Sequence, residues 1–533
     1  MTMKEHRFLY PIVIGVAVLS LYAQTWSFLF VNYDDPLYVE HIGVLTGFTR
    51  DGLREIWTTH NFGNWQPITL MSHALDIQLF DLRPGAHHLV SALLHAINGI
   101  LLFVFFSRWT GNRHAAFLAA LLWAIHPQNV DAVAWISQRK TLLSTLFGLC
   151  SLLAYLNFRI RPTLAKAGRV VVWLLLGLMA KGVLVTVPLI MIVVIDLLRF
   201  PGQPMALPKA RRLAPGLFIL SLLFGIMVMV GQGAAGSIVP TERFSMGHRF
   251  GHAMDNVLHY ALKLVVPTGF AIHYPPPEES LGTLHVIAST AMIGAVSWLA
   301  WTKRATWPWL GAGWFWYLIN LAPLSGLLAT GQAIRTDRFA YIPTMGLFLI
   351  LGWLLHRWLA DRRPAQWAFA FLVLLLCWRT AVQVSYWRND ETIYRRALSV
   401  TRANSLVHNN LAVYYIQTGQ MDKAAVELVE SLRLLSTDPH SWGNLEMILA
   451  SPLGQRGLHF HLQEVAATHP NDPHYRLVRF MIALVQIRTT DARRLWEEIM
   501  EDPASDEVTR SIARSFLAQY EMRHGALFGD WTP

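Results

Sequence analysis

Two adjacent carboxylates, Asp34 and Asp35, stand in the run Asn32-Tyr33-Asp34-Asp35-Pro36, directly after an uncharged stretch from Phe8 to Val31. Carboxylates at the edge of an apolar segment are costly to place there, which makes them functional candidates, although a solvated helix cap reads the same way. An ionised Asp can take the proton of an incoming hydroxyl. Cations recur where the hydropathy pattern reaches the same membrane edge. Asp131, Trp135 and Arg139-Lys140 follow His126-Pro127, Lys181 separates two apolar runs, and Arg335, Asp337 and Arg338 precede Tyr341-Ile342-Pro343. Arg and Lys are the side chains that hold phosphate oxygens. Acids for a hydroxyl beside cations for a phosphate, all at the outer membrane edge, suit a lipid-phosphate substrate. His88 and His95 lie two turns apart on one helix face and join the candidates, with hydrogen-bonded structural histidines as the alternative. No HExxH or paired-cysteine spacing occurs, so no metal ligand is assigned, and no Gly-rich phosphate loop points to an ATP-driven pump.

The elements that must position these residues are membrane helices. Of 533 residues, 53% are hydrophobic and 15% charged, well below the charged quarter of a soluble protein. A hydrocarbon layer about 30 Å thick calls for about twenty apolar residues per crossing. Such stretches fit at Phe8 to Val31 and at 88–107, 114–130, 141–158, 170–181, 183–198, 213–232, 284–302, 307–324, 338–355 and 365–386, about eleven in all. With the N-terminus in the cytoplasm behind Lys4 and Arg7, eleven crossings put each basic loop inside. These loops carry Arg108/Arg113, Arg159/Arg161/Lys166/Arg169, Arg199/Lys209/Arg211/Arg212, Lys303/Arg304 and Arg357/Arg362/Arg363. The apolar stretch 254–271 contains Asp255, His259 and Lys263 and is expected to lie on the outer face as a surface or re-entrant helix. A lower-ranked alternative merges 170–198 into one helix and lets 254–271 cross. The first outer loop, residues 31–87, is long for a connector and carries an amphipathic stretch from Arg50 to Trp57. The formal charge of +10 orients loops and meets anionic lipid rather than nucleic acid. Cys150 and Cys377 sit in apolar runs where no disulfide framework forms.

Composition changes near Tyr386, and residues 387–533 read as a soluble, outward-facing appendage beside the membrane domain 1–386. Asn404-Ser405, Asp438-Pro439, Asp472-Pro473 and Ser505-Asp506 recur at a step of 34 or nearly so, with capping side chains and Pro at the first helical position. That step matches the tetratricopeptide repeat, a helical solenoid suited to holding another polypeptide. A packing or dimerisation module is the plainer alternative. The expected fold class is therefore all-α: a polytopic helical bundle followed by a helical repeat.

The membrane half resembles the C-type (GT-C) glycosyltransferases that use polyprenyl-phosphate-linked sugars, and within them the transmembrane and tetratricopeptide-repeat O-mannosyltransferase family and its bacterial relatives. The resemblance rests on Tyr33-Asp34-Asp35, the His88-to-His95 helix, the run from His126-Pro127 through Asp131 to Trp135, Ala180-Lys181, Asp196, and Asp337-Arg338-Phe339-Ala340-Tyr341-Ile342-Pro343 to Gly346. It implies Asp34, or the Asp34/Asp35 pair, as the base acting on the acceptor, and Lys181, Arg335 and Arg338 near the lipid phosphate. His88, His95, His126, Asp131 and Arg139 complete the expected substrate site. This chain departs from the family in having Gly182 after Lys181 and Arg139-Lys140-Thr141 where the family often carries Arg-x-Asp. No cofactor is assigned beyond a divalent cation, magnesium or manganese, that the resemblance admits.

The implied activity is one-step, inverting transfer of a sugar from a polyprenyl-phosphate donor to a hydroxyl of an exported protein held by the repeats. The implied setting is a bacterial inner membrane with the repeats in the periplasm. The competing expectations are a lipid-linked glycan polymerase or oligosaccharide ligase, a flippase, and a non-catalytic scaffold. A transporter should show internal symmetry between its halves, which this sequence lacks.

Overall fold

A computed structural model describes residues 6–524 apart from 62, 205–211, 239–243, 278, 328–334, 360–361, 436–437, 450–472, 487, 504 and 506. Lys4, Lys209, Arg211, Asp472 and Asp506 lie outside the described residues. Among the described residues the regular structure is helical, with one isolated β-bridge between Asn61 and Asn64. The chain divides into two compact units, Met1–Asn389 and Asp390–Pro533.

In the first unit a helix occupies each of the eleven apolar stretches. Six helices among the described residues are long and apolar enough to cross a membrane: Phe8–Ser27, Pro84–Thr110, Ile136–Phe158, Leu213–Ala234, Thr283–Thr302 and Arg363–Arg388. Arg113–Ala124, Gly182–Leu197 and Thr344–Leu359 are shorter and apolar. Local chemistry fixes several ends. Pro84 opens the longest helix at a position where its missing N–H costs nothing. Gly111, with φ of 75°, closes it, and the Asn112 side chain accepts from the Ala115 amide at 3.0 Å to start the next. The merged 170–198 helix does not form: Lys181 is extended and separates Leu164–Ala180 from the helical stretch Gly182–Leu197. The stretch expected on the outer face is an amphipathic helix, Met246–Val265, that buries Asn256 and Tyr260.

The loop 31–87 is more than a connector. It folds into the helices Asp35–Val39, Ile42–Thr46, Arg50–Thr58 and Pro67–Phe80 over a core of Tyr38, Val44, Ile56, Leu70, Ala74 and Ile77. The last three recur at helical spacing, which is why the segment packs.

Among the described residues the second unit is helical and contains two helix pairs, Ser405–Gln417 with Met421–Leu434 and Pro473–Val485 with Thr489–Glu501. Helices begin at Ser405, Pro439, Pro473 and Glu507, each 34 residues after the last. Asn404 caps the first through the Val407 amide at 3.4 Å, and Asp438 caps the second through the Ser441 amide at 3.1 Å. Ser405–Gln417 turns through Gly419, at φ of 75°, into Met421–Leu434. Leu477, Phe480, Leu484, Leu495, Trp496 and Ile499 form a core between Pro473–Val485 and Thr489–Glu501.

Candidate active site

Asp34 and Asp35, adjacent in sequence, have different environments. Asp34 precedes the short Asp35–Val39 helix, and its carboxylate faces the Lys140 ammonium at 3.7 Å, with 18% of the side chain still exposed. Asp35 is buried. It accepts from the Val31 amide and the Ser137 amide, both at 2.9 Å, and from the Ser137 hydroxyl. Burial pushes the Asp35 carboxyl up to about 6, against the opposing pull of the Ser137 and Val31 bonds and with Asp34 adding to the rise. Asp35 therefore stitches the end of the first membrane segment to the start of the Arg139–Phe158 helix, while Asp34 is presented to solvent.

The Lys140 ammonium also lies 4.1 Å from the centre of the Tyr38 ring, a cation–π contact that fixes its direction. One residue earlier, Arg139 points elsewhere. Its guanidinium is fully buried, bonds the Asp76 carboxylate and donates to the His87 carbonyl at 2.7 Å. A step of about 100° per residue around the helix is the reason the neighbours diverge.

Lys181, at the break between two helices, donates to the Thr141 hydroxyl at 2.9 Å and is within electrostatic reach of Lys140, Arg338 and Asp131. Arg338 pairs with Asp131 at 3.5 Å, its amide bonds the same carboxylate at 3.0 Å, and its guanidinium stacks 4.8 Å from the Trp135 ring centre. Burial pushes Asp131 above the usual carboxylate range, with Arg338 opposing. Tyr33 packs edge-on against Trp135 and feels Arg338, Asp34 and Asp131 together. Asp34, Lys140, Lys181, Arg338 and Asp131 thus form one cluster, and each comes from a different element.

The remaining sequence candidates do not enter it. His88 bonds the Leu29 carbonyl at 3.1 Å, and His95 bonds the Tyr341 hydroxyl at 2.7 Å and the Ala124 carbonyl at 2.9 Å. His126 caps its own turn through the Gln128 amide and reaches the Leu264 carbonyl. Arg335 turns to the Met246–Val265 helix, bonding Asp255, Asn256 at 2.6 Å and His259 at 3.1 Å. Asp196 pairs with Arg159 at 3.1 Å at the opposite end of the Arg139–Phe158 helix. Sequence reasoning passed over Lys140 in favour of Arg139. The available signal was that only one of two adjacent helical residues can face the acids.

A helical chain with six membrane-length helices among its described residues, in which Asp34 faces Lys140 while Lys181, Arg338 and Asp131 lie close by, belongs to the broad class of helical membrane proteins. Comparison with known proteins narrows this. No protein-family model matches the chain. It is 23% identical over 485 residues to mouse protein O-mannosyl-transferase TMTC4, covering 78% of this chain and 65% of the relative. It is 24% identical over 402 residues to Caenorhabditis elegans protein O-mannosyl-transferase F38B6.6, covering 72% and 54%. A shorter match to human protein O-mannosyl-transferase TMTC2 is 34% identical over 149 residues, 26% of this chain and 18% of the relative. Along about three quarters of its length the chain is TMTC-like, and it spans between about half and two thirds of the two relatives that it matches at that length.

Proposed function

We propose that this chain is a membrane glycosyltransferase that moves a sugar, mannose by analogy with the relatives, from a polyprenyl-phosphate donor to a hydroxyl of an exported protein. The observation that carries the reading is Asp34 held beside Lys140, with Lys181 and Arg338 in the same cluster, in a chain similar to protein O-mannosyl-transferases. The acceptor oxygen attacks the anomeric carbon as the bond from that carbon to the lipid phosphate oxygen breaks. The bonding electrons leave with the phosphate, whose growing charge Lys181 and Arg338 stabilise. The acceptor proton passes to Asp34. A single displacement inverts the anomeric configuration. Lys140 and Asp35 position Asp34, one by charge and the other by fixing its backbone. A divalent cation remains compatible with this scheme, and no step depends on one.

We place the cluster on the outer face of the membrane, with the N-terminus inside, the bundle crossing eleven times, and the second unit as a tetratricopeptide solenoid that receives the acceptor polypeptide. The basic loops support that orientation. In the bacterial setting implied by the resemblance, the repeats occupy the periplasm.

The test is transfer of radiolabelled mannose from polyprenyl-phosphate mannose to serine- and threonine-bearing peptides by the purified chain in lipid vesicles. Transfer by the wild type, with Asp34→Asn folded but inactive, is the expected result. A folded Asp34→Asn chain with undiminished transfer overturns the assignment of the base. A wild type that lengthens lipid-linked glycan without touching peptide replaces the reading with polymerase activity.

A further inference from the structure

Behind the cluster, His73, Asp76 and His87 converge, with one ligating atom from each lying within 4.8 Å of the others. His73 and Asp76 are three residues apart on the Pro67–Phe80 helix, so they share a face, and His87 comes from the first turn of the Pro84–Thr110 helix. The two histidines have no exposed surface and Asp76 has 3%. Two features of the trio are hard to reconcile with plain packing.

Neither ring nitrogen of His73 has a hydrogen-bond partner among the described residues, although buried polar atoms are paired as a rule. His87 is more constrained still. Its Nε2 lies 2.8 Å from the Asp81 carbonyl, an acceptor, so Nε2 carries the proton and Nδ1 a lone pair. That Nδ1 faces the Asp76 carboxylate at 3.5 Å and has no hydrogen-bond partner. The facing Asp76 oxygen already accepts from Arg139, so the unanswered groups are the His87 Nδ1 and the orphaned imidazole of His73, two nitrogens that a cation would engage.

We propose that His73, Asp76 and His87 form a binding site for a divalent zinc ion. Two imidazole nitrogens and one carboxylate oxygen are a zinc donor set, with a fourth position open to water. The outer partners are those of a metal site: the Asp81 carbonyl orients His87, and Arg139 holds one oxygen of Asp76. The ion would share the site with the Arg139 guanidinium, with the carboxylates of Asp76 and Asp35 supplying the offsetting charge. The ion would tie the folded outer loop to the Pro84–Thr110 helix and, through Arg139, to the start of the helix that carries Lys140.

The test measures metal rather than transfer, so its outcome is independent of the enzymatic reading. The full chain in detergent is stripped with chelator, incubated with zinc, desalted and analysed by elemental mass spectrometry, and the visible spectrum is recorded after cobalt substitution. One zinc per chain, cobalt bands of a low-coordinate nitrogen and oxygen site, and loss of both in His73→Leu are expected. Absence of bound zinc, or equal zinc in wild type and His73→Leu, overturns the proposal. Should His73→Leu fail to fold, the wild-type cobalt spectrum decides, and a spectrum without such bands overturns the site.

Discussion

Adjacent residues divide the work at the cluster, and the sharpest tests exploit that division. Asp34→Asn should lower sugar transfer by about 10²–10⁴-fold, the usual contribution of a positioned base, with unchanged thermal stability. Asp35→Ala should act in the opposite way, losing about 1–3 kcal/mol of stability by leaving the buried Val31 and Ser137 amides without an acceptor, as read by thermal unfolding in detergent. The same contrast separates Arg139 from Lys140. Arg139→Met strands the buried Asp76 charge and should cost about 3–5 kcal/mol, whereas Lys140→Met should spare the fold and impair transfer.

Asp337 supplies a pH signature at the same scale. Burial pushes its carboxyl up to about 7, opposed by Lys263 and increased by Asp131, from an ordinary value of 3.8. Between about 4 and 7 the folded chain therefore holds more protons than the unfolded one, and stability falls as pH rises through that window. Melting temperature measured across that range should decline with pH, and Asp337→Asn should flatten the slope.

Helix packing in the bundle depends on close backbone approach. A β-carbon on Gly313 would come within 2.3 Å of the Gly346 carbonyl, and one on Gly346 within 2.3 Å of the Gly313 carbonyl. Pro308–Leu321 and Thr344–Leu359 are thus in contact through a pair of glycines, as membrane helices commonly are. Gly346→Ala should force them apart and cost about 1–3 kcal/mol, measured as a lower melting temperature. The cluster sits just before the second of these helices, at Arg338, so transfer should fall as well. Much at this scale was legible in the sequence. The eleven apolar stretches, the break at Lys181 and the 34-residue step of the second unit all follow from hydropathy and capping residues. Of the folded 31–87 loop only the amphipathic stretch from Arg50 to Trp57 was legible, because the apolar residues are spread over four helices and only their joint core, with Ile136 from a distant segment, reveals the rest.

The two units make separate demands on the whole molecule. Orientation is the first property to measure. With Cys150 and Cys377 replaced by Ala, a single cysteine at Arg402 should react with a membrane-impermeant maleimide added from the outer side, and one at Arg304 only after permeabilisation. The reverse labelling would put the second unit inside and exclude an exported acceptor.

Composition and periodicity by themselves settled that this is a helical membrane protein with a distinct helical appendage, since the length of an apolar run and the spacing of caps are local properties of the chain. The likeness of short motifs pointed to Asp34, Lys181 and Arg338. Only tertiary structure decided which cations reach the acid. Lys140 rather than Arg139 faces Asp34 because the neighbouring Asp76 and His87 capture the guanidinium, and those partners arrive from helices more than fifty residues earlier in the chain. Charge pairing across such separations depends on how helices rotate against one another, which no single segment encodes.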